Sequence, residues 1–180
     1  MQPQPSPDAQ DHNTGLSAAD HAQGPEDAPF TLLEYGDYEC PHCAQAEPKV
    51  RQLIESFGPQ LRFVFRHLPL LELHPHAELA AEAAEAAAAQ GKFWEMHRLL
   101  FSGPQHLAMA DFTKHAQIIG LDMTRFHAEM TDRIYTQRVQ EHRRAAELSD
   151  LHTTPTFILN GKVVDISTGF GKLEDAVYAL

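Results

Sequence analysis

The chain has two thiols, and they stand three positions apart in Cys40-Pro41-His42-Cys43. A thiol pair at that spacing can close a small disulfide ring and so exchange two electrons with another thiol pair. If Cys40 opens a helix, the unpaired N–H groups and the dipole of the first turn favour its thiolate, the form that attacks in exchange. The same spacing also suits half of a zinc site. Zinc asks for four ligands and there is no second C-x-x-C, so histidines such as His42, or those of the His74-Pro75-His76 turn, would have to complete it. A third candidate is Glu34, which interrupts the otherwise apolar run over residues 30–35. A carboxylate buried there without a partner has its pKa pushed upward, toward the range that proton transfer at neutral pH requires. If the strand ends early, the same side chain simply meets solvent.

These residues need elements to hold them. Residues 30–35 are nearly continuously apolar, which suits a central strand buried on both faces. Over 41–57, Val50, Leu53, Ile54 and Phe57 keep helical spacing, and Gly58-Pro59 ends the element. Pro41 falls in the first turn, where its missing N–H costs nothing, whereas Pro48 falls inside and predicts a kink. Residues 61–66 alternate as a second strand. Strand, helix and strand in this order make a βαβ unit with parallel strands. Helical patterns follow over 76–90, 92–101, 111–119, 122–130 and 132–148, with Phe93, Trp94 and Phe101 as packing residues. Asn160-Gly161, between residues 156–159 and Val163-Val164, signals a two-residue hairpin, and 172–180 reads as a last short helix. Just before the hairpin, Pro155 in Thr153-Thr154-Pro155-Thr156 fits an edge strand or a cis bend.

Composition sets bounds on the chemistry. With 180 residues, 43% of them hydrophobic, the chain can bury one real core. A formal charge of −11, from 25 acidic and 14 basic residues, argues against nucleic acid and against anionic lipid as partners. Arg138, Arg143 and Arg144, interrupted by Glu141, read as a solvated helix face. No apolar run approaches the ~20 residues that span a bilayer, so no membrane insertion is expected. The first residues lack the charged-then-apolar pattern of a leader, and there is no disulfide framework; both point to the cytoplasm. A periplasmic or other extracytoplasmic location is the alternative if a leader has been removed. Residues 1–29, rich in Gln, Pro, Asp and Ala, read as a disordered tail, with folding beginning near Phe30. Gly169-Phe170-Gly171-Lys172 lacks the spacing of a P-loop, and there is no G-x-S-x-G elbow.

The C-x-x-C at a helix start, the proline five residues after Cys43, and the Thr-Pro before a hairpin together resemble the thioredoxin fold. The helical stretch between the βαβ unit and Thr154-Pro155 makes the chain similar to the DsbA-like branch, an α/β fold with an inserted helical domain. Leu33-Glu34-Tyr35-Gly36-Asp37-Tyr38-Glu39-Cys40-Pro41-His42-Cys43 carries the strongest likeness, and Arg66-His67-Leu68-Pro69-Leu70 and Gly91-Lys92-Phe93-Trp94-Glu95 add to it. The resemblance implies a thioredoxin-like domain from 30–70 and 150–180, with residues 71–149 inserted. It implies a thiol–disulfide oxidoreductase in which Cys40 is the exposed, attacking thiol and Cys43 the partly buried resolving thiol. Pro41 and His42 would tune the Cys40 thiolate, and Glu34 would be the buried carboxylate assisting proton movement at Cys43. Pro155 would be a cis-proline beside the sulfurs, with Thr154 offering backbone groups to an extended substrate peptide. The implied partners are proteins with thiols or disulfides and an unidentified redox-recycling partner. No cofactor and no metal are expected, and with no added dimerisation segment a monomer is the default expectation.

The Pro-His dipeptide resembles the oxidising members of the branch. Asp37, Glu39 and the overall acidity oppose a thiolate at Cys40, so its pKa is expected to be depressed without being extreme. Two other readings stay open. One is a non-catalytic metal-binding or redox-sensing C-x-x-C module. The other is a glutathione-dependent small-molecule isomerase, which would not need Cys43.

Overall fold

Side-chain alternation explains how the central strand can be buried on both faces. In the computed structural model, which describes residues 15–179, strands form at His21–Gln23 (β1), Phe30–Gly36 (β2), Leu61–His67 (β3), Thr156–Leu159 (β4) and Lys162–Val164 (β5). They make one sheet of order β1-β3-β2-β4-β5. β2 pairs parallel with β3 and antiparallel with β4, and the two outer pairings, β1 with β3 and β4 with β5, are also antiparallel. Leu32 joins Phe63, Phe65 and Phe157 in the larger core on one face, while Leu33 and Tyr35 join Val64 and Ile158 in the smaller core on the other. Glu34 shares the parity of Leu32 and so points into the larger core, in register with Phe65 and Phe157.

Helix Pro41–Phe57 (α1) crosses between β2 and β3, as the βαβ pattern predicts. It runs on through Pro48, whose ring lies on the exposed side. Five helices separate β3 from β4: Ala77–Ala88 (α2), Phe93–Ser102 (α3), Met109–Ile118 (α4), Met123–Thr131 (α5) and Thr136–Leu148 (α6). α2 is alanine-rich for a packing reason: Ala80, Ala83, Ala84, Ala86 and Ala87 are all fully buried, so neighbouring elements approach it closely. The terminal helix Gly171–Tyr178 (α7) returns to the face of α1, buries Leu173 and Val177, and is tied to α1 by Lys49–Glu174 at 3.0 Å. Asn160 and Gly161 have φ of 47° and 82°, the left-handed pair that a two-residue hairpin needs.

The predicted tail requires correction. Its first part, residues 1–14, lies outside the described residues, but 15–29 belong to the fold. β1 adds to the sheet edge, with His21 opposite Phe65. Asp20 grips Arg66 with two bonds, Oδ1 to Nε at 2.7 Å and Oδ2 to Nη2 at 2.8 Å. Arg66 also donates to the Tyr35 hydroxyl at 3.0 Å and to the Gly15 carbonyl at 3.2 Å. A polar segment is thus held by hydrogen bonds to a buried guanidinium, a source of order that hydrophobicity alone does not reveal.

Candidate active site

Cys40 is the N-cap of α1, in extended backbone geometry with Pro41 at the start of the helix. The preceding turn is shaped by Asp37, a buried carboxylate. Its Oδ1 accepts from the Glu39 N–H at 2.8 Å, and its Oδ2 accepts from the Leu70 N–H at 2.9 Å and pairs with His74 Nδ1 at 2.7 Å. The Asp37 carbonyl accepts the Cys40 N–H at 3.1 Å. Glu39 is held in the same way by His76, through its backbone N–H at 2.7 Å and Nδ1 at 2.9 Å. The His74-Pro75-His76 turn therefore serves as partner to the two acids before the cysteines. Among the described residues, neither cysteine belongs to a cluster of potential metal donors.

The two thiols, both free, have opposite electrostatics. The Cys40 pKa is lowered to about 5: the Cys43 thiol donates to its sulfur, against a cost from burial, and the Thr154 side chain and the N–H groups of Cys43 and His42 add to the lowering. Burial pushes Cys43 well above the usual thiol value, and its bond to Cys40 and the negative fields of Glu34 and Cys40 push it further. The largest influences on Cys40 come from Cys43, burial, Thr154 and His42. Cys40 also departs from the expected exposed thiol, being 4% accessible against 0% for Cys43. The cover comes from the far end of the chain. The Thr154–Pro155 peptide is cis, and the Cys40 thiol donates to the Thr154 carbonyl at 3.4 Å. The Thr154 hydroxyl oxygen beside it is buried.

Glu34 is 2% accessible, and its Oε1 has no hydrogen-bond partner. Burial first, then the charges of Glu47 and Cys40, raise its pKa to about 8. A cavity of about 210 Å³ beside it is lined by Glu34, Glu47, Arg51, Trp94 and His97. Pro41 and His42 are exposed, and Pro155 is buried. On the solvent side, a groove of about 660 Å³ runs from His42 and Gln45 past Thr154 and Pro155 to Ile166 and Phe170.

A family model described as thioredoxin matches residues 16–178. The chain belongs to the thioredoxin family. Solved structures with the same fold include BdbD from Bacillus subtilis, with TM-score 0.74 and 20% identity over 88% of this chain and 90% of that one. A thioredoxin-like oxidoreductase from Silicibacter pomeroyi matches with TM-score 0.75 and 24% identity over 95% and 99%. MdbA, a thiol-disulfide oxidoreductase from Actinomyces oris, matches with TM-score 0.73 and 20% identity over 89% and 85%. By sequence, the chain is 49% identical over 143 residues to the Na(+)/H(+) antiporter NhaA 3 of Salinispora tropica, covering 79% of this chain. It is 50% identical over 143 residues to the Na(+)/H(+) antiporter NhaA 1 of Salinispora arenicola, again covering 79% of this chain. The chain spans only 22% of the length of either antiporter. Among the described residues, no helix is long and apolar enough to cross a membrane.

Within this thioredoxin-family fold, Cys40, Cys43, Thr154 and Pro155 are brought together although 114 positions separate Cys40 from Thr154. Glu34 lies close enough for its charge to act on Cys43. Sequence reasoning missed Glu47 as a neighbour of Glu34, and it took His74 and His76 only as possible zinc ligands. The four-residue offset of Glu47 from Cys43, one helical turn, was the available signal.

Proposed function

We propose that this protein is a thiol–disulfide oxidoreductase that donates its Cys40–Cys43 disulfide to protein dithiols. The observation that carries this reading is the asymmetry of the pair, a Cys40 thiolate favoured down to about pH 5 beside a Cys43 held protonated. A stabilised thiolate exists only in the reduced protein, so it favours reduction of the site and makes the disulfide an oxidant. A substrate thiolate attacks Cys40 Sγ, the Cys40–Cys43 bond breaks, and Cys43 leaves and takes a proton from Glu34. The second substrate thiolate then attacks the substrate sulfur of the mixed disulfide and expels Cys40 as a thiolate. The substrate loses two electrons and two protons. The site gains both electrons and one proton, which Glu34 delivers to Cys43 and recovers from solvent.

Pro41 and His42 place the first-turn N–H groups at Cys40, and Pro155 with Thr154 lines the groove where an extended peptide would lie. An oxidant of this kind works where thiols are not kept reduced. The extracytoplasmic alternative therefore replaces the cytoplasmic expectation in this proposal. Equilibration with glutathione tests the direction: a potential near about −120 mV is expected, and one near about −270 mV would make the protein a reductase. Cys43→Ser should abolish turnover, and its lone Cys40 thiolate should attack a disulfide-bearing substrate and stay trapped in the mixed disulfide. Retained turnover in that variant would favour the glutathione-dependent isomerase instead.

A further inference from the structure

A second cluster of ligating side chains lies at the edge of the sheet, on elements that do not carry the cysteines. His21 from β1, His67 at the end of β3 and Glu85 from α2 converge on one point. Glu85 Oε1 lies 2.7 Å from His21 Nε2 and 2.8 Å from His67 Nε2. The three ligand atoms all lie within 4.8 Å of one another. We propose that these residues form a site for a divalent transition-metal ion of the zinc class, which fastens the edge strand β1 to the sheet and to α2.

Two imidazoles and a carboxylate are a donor set that zinc accepts, and three protein ligands leave a fourth position for water. The approach distances suit it. Ligands at zinc's usual bond lengths of about 2.0–2.1 Å sit about 3.3 Å apart on a tetrahedron, so Glu85 and each histidine separate by only about 0.5 Å to admit the ion. The donors are also pre-positioned. The His21 ring stacks on Phe93 with centroids 3.6 Å apart, and the His67 side chain is 1% accessible. The backbone N–H of His67 donates to His142 Nδ1 at 3.2 Å. The Asp20–Arg66 pair next to both histidines in sequence holds β1 in register. The His21 side chain, 14% accessible, leaves the ion a way in. Without metal, the imidazoles satisfy Glu85 by donating from Nε2. With metal, each Nε2 binds the ion and its proton moves to Nδ1. His67 Nδ1 is buried without a partner, so the move costs affinity and micromolar rather than tighter binding is expected.

The test uses the full chain with Cys40→Ser and Cys43→Ser, so that the thiol pair cannot hold the ion. Titration calorimetry with zinc chloride should show one equivalent bound with a micromolar Kd, and cobalt chloride should give the visible absorption of a low-symmetry site. Adding His21→Ala should weaken zinc binding at least tenfold, with circular dichroism showing an unchanged fold. Adding His152→Ala, at an exposed histidine outside the cluster, should leave binding unchanged. Saturating zinc should raise Tm by about 5 °C in the parent and leave the His21→Ala chain unmoved. No bound equivalent in the parent, or full binding in the His21→Ala chain, overturns the proposal.

Discussion

Glu34 places a carboxylate among Leu32, Phe63, Phe65 and Phe157, with one oxygen unpartnered. Its folded pKa of about 8 lies above the ordinary value of 4.5, so the folded state binds a proton that the unfolded chain has already lost. The penalty is therefore absent below about pH 4, grows through neutrality, and levels off above about pH 8. Replacing Glu34 with Gln removes it. The Gln variant should be more stable than the parent by about 3 kcal/mol at pH 7 and equally stable at pH 4, as read from urea melts of the reduced proteins. Equal stability at both pH values would show that Glu34 is not a buried acid. Glu34 was legible because it is the one acid in an apolar run. The low pKa of Cys40 was legible only in direction, since the donors that set it include Thr154, which no local pattern attaches to the cysteines.

At the scale of elements, β1 is the piece that sequence reading left out. His21-Ala22-Gln23 has no apolar alternation, and its place depends on an open edge of β3 and on Arg66. Arg66 is buried, and Asp20 supplies its carboxylate. Asp20→Ala removes the carboxylate that bonds this guanidinium twice, which costs about 3–5 kcal/mol. The expected outcome is a lower urea midpoint, with amides of residues 15–29 exchanging much faster than those of β2. If the midpoint is unchanged, β1 is not held by this pair. The other elements were legible because their periodicity is strong. The Asn160-Gly161 hairpin and the span of α1 follow directly from residue types with narrow backbone preferences.

For the whole molecule, the decisive feature is a core shared by the sheet and the helices between β3 and β4. Leu32, Cys43, Phe63 and Phe65 of the βαβ unit share one cluster with Ala84, Phe93, Leu100, Phe112 and Phe126 of the helices. Trp94, the single tryptophan, sits at this junction with its ring 5.8 Å from that of Phe63. The protein should therefore unfold as one unit. Tryptophan fluorescence and far-ultraviolet circular dichroism should give coincident urea transitions. Separated transitions would mean that the helices and the sheet are independent.

The sequence by itself determined the order of elements from β2 onward, the parallel βαβ unit, the thiol pair and the buried acid, because each rests on local periodicity or on a residue type with few tolerable environments. The tertiary structure decided what surrounds them. It brought Thr154 and Pro155 over Cys40, paired Asp37 and Glu39 with His74 and His76, and gathered His21, His67 and Glu85 at one point. Contacts between residues far apart in the chain follow from how whole faces pack, and no spacing along the chain records them.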